Sequence, residues 1–274
     1  MSRISDAFAA AEGEGRAALV TFITAGDPDP EAGREVLAAV ARGGADVVEL
    51  GLPFSDPSAD GAAIQRSSAR ALEAGMTYAK TLAMVADLRA GRIDGASPEL
   101  PIVLFGYANP FFARGEALGR ELAEAGVDGV LVVDLPPEEA GEFEALLRPA
   151  GVDLIRLVAP TTPLARVAKI AAGASGFLYY VSMLGVTGDT LRDPGALAPR
   201  VAEVRRQAGL PVGVGFGIAD PEAAAAVAGL ADGVVVGSAI VRKIEAEGAA
   251  AGPAVEAFVR GLAQACRGGE GGRG

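Results

Sequence analysis

Eight short runs of β-branched and large apolar residues recur along this chain, with alanine-rich stretches of helical character between them. The runs are ALVTFITAG from Ala18, ADVVELG from Ala45, PIVLFGY from Pro101, DGVLVVD from Asp128, VDLIRLVA from Val152, GFLYYVS from Gly176, PVGVGFG from Pro211 and DGVVVGSA from Asp232. Most begin 20 to 35 residues apart, the length of a strand, a crossover helix and two loops. Within a run, apolar and polar positions alternate little, as in strands covered on both faces. Eight such βα units predict an α/β chain closed into a single (β/α)8 TIM barrel with extra short helices. An open doubly wound sheet is the competing arrangement of the same units.

One interval is longer than the rest. Between the second and third runs lie two helix-like pieces, over 61–74 and 77–90, and then the stretch GRIDGASPELP. Helix ends are marked elsewhere: in ADPEAAAAVAGL, Asp220 is the expected N-cap and Pro221 the first helical residue. No linker divides the chain. Residues 1–267 therefore read as one barrel domain, and 268–274 as a glycine-rich disordered tail.

Charge and cysteine content remove several function classes. With 24 basic against 35 acidic residues, and the basic ones scattered, no patch for nucleic acid or an anionic membrane is expected. The one cysteine, Cys266, allows no disulfide within the chain and fits a reducing cytoplasm. The N-terminal MSRISDAFAAAEGEGR has no apolar core of a signal peptide. Residues 170–188 carry no charge and are long enough to suggest a membrane span. Their glycines at 173, 176, 185 and 188, with Ser175, Ser182 and Thr187, read instead as helix end, strand and loop.

A barrel of this kind gathers its chemistry at the C-terminal ends of its strands. Those ends offer Thr24 to Asp27, Glu49, Tyr107 with Asn109, Asp134, Ala159 and Pro160, Ser182, Gly215 to Gly217, and Gly237 with Ser238. The chain has no histidine, which removes Ser-His-Asp chemistry and histidine-ligated metals. Its three lysines, Lys80, Lys169 and Lys243, fall in helical stretches, away from where a Schiff base would form. No metal site is predicted. Proton transfer is left to carboxylates, helped by tyrosines.

Glu49 stands in a strand whose other residues are apolar. Side chains alternate along a strand, so Glu49 shares a face with Val47 and Gly51, and Val48 with Leu50 faces the helices. Glu49 then points into the barrel, where lost hydration raises its pKa toward the working range of an acid/base. A structural glutamate tied to an arginine or an amide fits the position equally well. Asp60, in DPSADG, reads alone as turn chemistry or a helix cap, and Asp27 and Asp56, each before a proline, read the same way. Asp134 is either a loop anchor or a site residue. Glycines end the last two strands, and Gly237 and Ser238 open a short helical stretch. Barrels bind phosphate at that place with backbone N–H groups, which suits an acidic protein that would otherwise repel an anion. Tight turns are the plainer use of the same glycines.

ELGLPFSDPSADGAAIQ (residues 49–65), YANP (107–110), GVTG (185–188), GFGI (215–218) and GSAIV (237–241) together resemble the tryptophan synthase α-subunit family, in order and over nearly the whole chain. The resemblance implies a lyase that splits indole-3-glycerol phosphate into indole and glyceraldehyde 3-phosphate by a retro-aldol reaction without a cofactor of its own. It implies a β-subunit partner in an α2β2 tetramer, with pyridoxal phosphate held only by that partner. Glu49 matches the family's general acid/base and Asp60 the acid that holds the indole N–H. Phosphate would rest on Gly188, Gly217, Gly237 and Ser238. Phe22, Ile64, Tyr107, Leu131, Leu157 and Tyr179 match the indole pocket, and Thr187 the closing loop. The family's SDPLADGPTIQ is SDPSADGAAIQ here, with Ser58, Ala62 and Ala63, and Met183 stands where many members have arginine. Those changes bear on partner affinity more than on chemistry. A free-standing lyase of the same fold stays open at this point. So does a non-catalytic phosphate-binding barrel, although a scaffold has no need of an acid in its core. Another isomerase of a phosphorylated precursor would want a lysine or a differently placed acid pair.

Overall fold

The structure, a computed structural model, describes residues 2–181, 197–215 and 217–267. Eight parallel strands pair in chain order and close on themselves: β1 (Ala18–Thr24), β2 (Val47–Gly51), β3 (Ile102–Gly106), β4 (Gly129–Val132), β5 (Asp153–Val158), β6 (Leu178–Val181), β7 (Val212–Gly215) and β8 (Gly233–Val236). β1 seals the ring by pairing Ala18 with Gly233 and Val20 with Val235. The closed barrel is the arrangement expected, and the open sheet is excluded.

Helices cover the outside. They are α1 (Arg3–Gly13), α2 (Pro30–Gly43), α3 (Ala62–Glu73), α4 (Tyr78–Arg89), α5 (Ala108–Phe112), α6 (Leu118–Ala125), α7 (Gly141–Leu147), α8 (Leu164–Ala172), α9 (Ala198–Ala208), α10 (Pro221–Ala228), α11 (Ser238–Glu247) and α12 (Gly252–Arg267). α3 and α4 fill the long interval, as their sequence predicted. Asp220 caps α10 by accepting from the Ala223 N–H at 2.8 Å, and Pro221 opens the helix. The charge-free stretch at 170–188 begins as the end of α8 and continues into β6, with 182–188 outside the described residues. Among the described residues, no helix is long and apolar enough to cross a membrane.

Strand alternation sorts the apolar residues into two cores. Val48, Leu50, Ile102, Leu104, Val130 and Val234 face the helices and join the larger core. Val20, Val47, Val103, Leu131, Ile155 and Val235 face inward and fill the barrel. α1 closes the N-terminal end of the barrel, a role its sequence did not announce. Its Ile4 and Phe8 are buried, and Phe8 stacks on Phe177 at 5.1 Å. Gly233 and Gly129 lack the Cβ atoms that would strike Phe8 and Ile4.

Three aspartates brace that lower end by one device. Asp46 accepts from the Leu19 N–H at 2.7 Å, Asp128 from Ile102 at 2.7 Å and Asp232 from Val212 at 2.9 Å. Each thereby satisfies an amide at the start of the neighbouring strand, and each also pairs with arginine: Arg16, Arg3 with Arg89, and Arg205 respectively. A carboxylate with a charged partner and a backbone donor is well solvated by protein.

Candidate active site

Glu49 projects to the inside of the barrel, between Phe22 of β1 and Val103 of β3 in the pairing register. Alternation alone puts it there, since Val47 lies in the inner core and Val48 and Leu50 in the outer one. Its surroundings are the reverse of those of the lower aspartates. It is 1 % exposed, and its Oε1 finds no hydrogen-bond partner. Loss of hydration, with nothing opposing it, pushes its pKa up to about 8. The structural reading of Glu49, a carboxylate tied to arginine or amide, is thus not what the geometry contains. Tyr179 stands close enough to feel its charge: burial first, then Glu49, raise the phenol well above its ordinary pKa.

Asp60 sits on the loop between β2 and α3, one residue before the Gly61 cap. It is buried, and burial pushes its pKa up to about 6, with a Tyr107 hydrogen bond pulling the other way. The Tyr107 hydroxyl donates to Asp60 Oδ2 at 3.0 Å and accepts from the Ala59 N–H at 3.0 Å. Phe54 stacks on the Tyr107 ring at 5.0 Å, and the Gln65 amide donates to the Asp60 carbonyl at 2.8 Å. These contacts hold one carboxylate oxygen and leave the other without a protein donor among the described residues. The sequence suggested a turn or cap for Asp60. The turn is there, with the Asp60 N–H donating to the Pro57 carbonyl at 3.1 Å, but the side chain caps no helix: α3 begins at Ala62 after a Gly61 cap with no side-chain hydrogen bond.

Phe22 joins the parts of the mouth. It pairs in register with Glu49, packs with Ala63 and Ile64 of α3 and Val241 of α11, and meets Phe105 edge-on at 5.1 Å. Gly51 makes room for it, because a Cβ there would lie 2.6 Å from the Phe22 ring. Leu131 and Tyr179 lie in the inner core, with Leu157 half-buried against them. Gly215 admits the Tyr179 ring, since a Cβ there would fall 2.3 Å from the hydroxyl. Leu131, Leu157 and Tyr179 thus belong to the barrel's inner core, Phe22 and Ile64 to a second cluster, and Tyr107 to the Asp60 loop. Phe105 packs against both clusters and was not among the residues expected. Its place in β3, two residues after Val103 and opposite Gly51, was the available signal.

At the other side of the mouth, α11 starts at Ser238, and its Gly237 cap has no side-chain hydrogen bond. The Gly237 carbonyl accepts from Ile240 at 2.8 Å and Val241 at 3.1 Å. The Ser238 and Ala239 amides, at the first two positions of the helix, have no carbonyl within it to bond. A Cβ on Gly237 would come 3.2 Å from Phe22 Cβ, so the backbone lies close against the site. Gly217, at φ 79°, adopts a left-handed conformation open to glycine. Gly188, Thr187, Ser182 and Met183 lie outside the described residues.

The remaining aspartates separate. Asp134 accepts from the Ala108 N–H at 2.7 Å and anchors the start of α5. Asp27 is fully buried and bonds Arg70 through both oxygens. Asp56 accepts from Ser55 at the surface. Lys80, Lys169 and Lys243 ride on α4, α8 and α11, and Lys243 lies over the Phe258 ring on the outer layer. Among the described residues, no cluster of three or more His, Cys, Asp or Glu groups could hold a metal ion.

Fold and site together define a (β/α)8-barrel enzyme whose titratable groups at the strand tops are carboxylates. A family model described as tryptophan synthase alpha chain matches residues 8–266. A tryptophan synthase alpha chain of Laribacter hongkongensis is 51 % identical over 266 residues, covering 97 % of this chain and 99 % of the relative. Another from Dechloromonas aromatica is 52 % identical over 246 residues, 89 % of this chain and 90 % of the relative. Among solved structures, the tryptophan synthase subunit alpha of Legionella pneumophila superposes with a TM-score of 0.88 at 37 % identity, over 97 % of this chain and 98 % of that one. A chain of Mycobacterium tuberculosis tryptophan synthase does so at 0.87 and 35 %, over 97 % and 98 %. The chain belongs to the tryptophan synthase alpha chain family. It is a lyase of tryptophan biosynthesis, and its reaction is the cleavage of indole-3-glycerol phosphate to indole and glyceraldehyde 3-phosphate.

Proposed function

We propose that Glu49 moves both protons of this cleavage and that Asp60 holds the indole ring. The observation that carries the reading is the buried Glu49 carboxyl, whose Oε1 has no partner and whose pKa near 8 lets it give and take a proton at neutral pH. The protonated carboxyl gives its proton to C3 of the indole ring. That leaves positive charge on the ring nitrogen. The resulting carboxylate takes the proton of the glycerol hydroxyl on the carbon joined to C3. The C3–carbon bond breaks, its electrons return to the ring as indole, and the hydroxyl carbon becomes the aldehyde. Glu49 ends protonated, as it began.

Asp60, ionised above its pKa of about 6, accepts the indole N–H and stabilises the charge that builds there. Tyr107, by donating to the other oxygen, aims it. Phe22, Ile64, Leu131, Leu157, Tyr179 and Phe105 exclude water from the ring. The Gly237 and Ser238 amides at the start of α11, with Gly217 and Gly188, take the phosphate, and Thr187 closes over Asp60. No residue of this chain is assigned to a cofactor. A pyridoxal phosphate-bearing β subunit is the partner, in an α2β2 assembly in the cytoplasm, and residues 1–267 form the one catalytic domain.

The test is indole release from indole-3-glycerol phosphate by the purified chain, with and without a β subunit and with Glu49→Gln as control. Slow release that the partner accelerates and the variant lacks is the expected result. Fast release without the partner would favour the free-standing enzyme. Turnover retained by Glu49→Gln would end the acid/base assignment.

A further inference from the structure

Asp60 and Ile64 stand at the start of α3, and the phosphate amides stand at the start of α11. The two helices flank β1 and meet in an apolar cluster of Phe22, Ala63, Ile64 and Val241. A chain of ion pairs also ties them. Asp27, fully buried just beyond the end of β1, accepts from Arg70 Nε at 2.8 Å and from Arg70 Nη2 at 3.0 Å. Arg70, in the last turn of α3, donates its third nitrogen to Glu245 of α11 at 2.9 Å. Arg66, one turn earlier on α3, closes a second fork on the same carboxylate at 2.6 and 2.7 Å. The Arg70–Asp27 and Arg66–Glu245 links are planar forks of guanidinium on carboxylate, and a single bond joins Arg70 to Glu245.

The loop end of this chain is itself braced. Gly26 packs under Met76, and Thr24 bonds Ser67 of α3 at 2.6 Å. Burial raises the Asp27 pKa and Arg70 opposes that rise, whereas the two arginines draw Glu245 down to about 2. The network is ionised across the neutral range at its α11 end.

We propose that Arg70 and Glu245 are positioning residues that set the separation of the indole-holding and phosphate-holding halves of the site, resting on the assignment of those halves above. Neither touches substrate. Their effect is confined to ligands that must reach both halves at once, because only those gain from a fixed separation.

The test compares three probes on the full chain by titration calorimetry and ligand-observed NMR: indole, inorganic phosphate, and indole-3-propanol phosphate, an uncleavable compound joining the two. Glu245→Gln cuts the link at α11 and leaves the buried Asp27–Arg70 pair whole. Arg70→Lys keeps a cation beside Asp27 but loses the fork. Both variants are expected to bind the joined compound about tenfold more weakly, with indole and phosphate each changed less than about twofold. Added β subunit should leave that pattern in place. Equal losses for all three probes would mean a merely structural role and overturn the proposal, as would no loss for any. Wild-type protein that binds the joined compound no better than its parts would overturn the assignment of the site halves itself, and this inference with it.

Discussion

Glu49→Gln is expected to abolish indole release and, in the same protein, to raise stability. The carboxyl is ordinary in the unfolded chain, with a pKa of 4.5, and is pushed up to about 8 in the fold by burial. Between those values the folded protein keeps a proton that the unfolded chain gives up. The unfolded state binds fewer protons there, so wild-type stability falls as pH rises, by about 1.4 kcal/mol per unit. The accumulated cost of this one group is about 3 kcal/mol at pH 7 and about 4 kcal/mol at pH 8, levelling off at about 5 kcal/mol above pH 9. Glutamine has the shape and polarity of the protonated acid and never ionises. Wild type and variant should match near pH 4, and the variant should lead increasingly up to pH 8. Asp60, whose pKa is also raised, acts in the same direction, but it is present in both proteins and cancels in the difference. Urea unfolding of the pair at pH 4, 6, 7 and 8 gives the curve directly. A difference independent of pH would refute the argument, and so would a variant less stable than wild type at pH 8. Glutamine in place of an ion-paired glutamate would produce the latter.

Tyr107→Phe removes the hydroxyl that donates to Asp60 and lowers its pKa, so the acid limb of the pH–rate profile should move to higher pH, and an unmoved limb would show that Asp60 ionisation does not limit the rate. Gly237→Asp adds a Cβ 3.2 Å from Phe22 Cβ and a negative charge beside the α11 amides. It should weaken phosphorylated ligands at least about tenfold and leave indole nearly unchanged; equal weakening of both would remove phosphate from that helix. Asp128→Ala strands Arg89 and the Ile102 N–H at the lower end of the barrel and should cost about 3 to 5 kcal/mol in urea unfolding, with kcat of the folded protein intact.

The barrel was legible because its signal is repeated. Each strand is a short apolar run, and eight runs with helical stretches between them admit few closures. β2 also showed which of its faces would turn inward, because Glu49 interrupts the pattern on one parity only. What escaped the sequence was contact between distant parts. Tyr107 and Asp60 are 47 positions apart, and no local pattern announces their hydrogen bond. α1 read as a polar N-terminus, yet its Ile4 and Phe8 plug the barrel floor into space left by Gly129 and Gly233. Phe105 looked like any strand aromatic. Two glycines of PVGVGFG, Gly213 and Gly215, make room for the Phe177 and Tyr179 rings, a packing role that no local pattern announces.

The two ends of the barrel separate structural acids from reactive ones by a single criterion. Asp46, Asp128 and Asp232 at the lower end each hold an arginine and a strand amide, which supply in protein the solvation that water supplied before folding. Asp27 has a bidentate arginine. Folding leaves such groups occupied. Glu49 has neither cation nor amide at Oε1, and Asp60 has one neutral phenol. A barrel that can furnish a partner to so many carboxylates has withheld it from these two. The shortfall is the destabilisation that Glu49→Gln should relieve. It is also what the reaction requires: a carboxyl already bound to arginine could neither protonate carbon nor recover the proton from oxygen without first losing that pair.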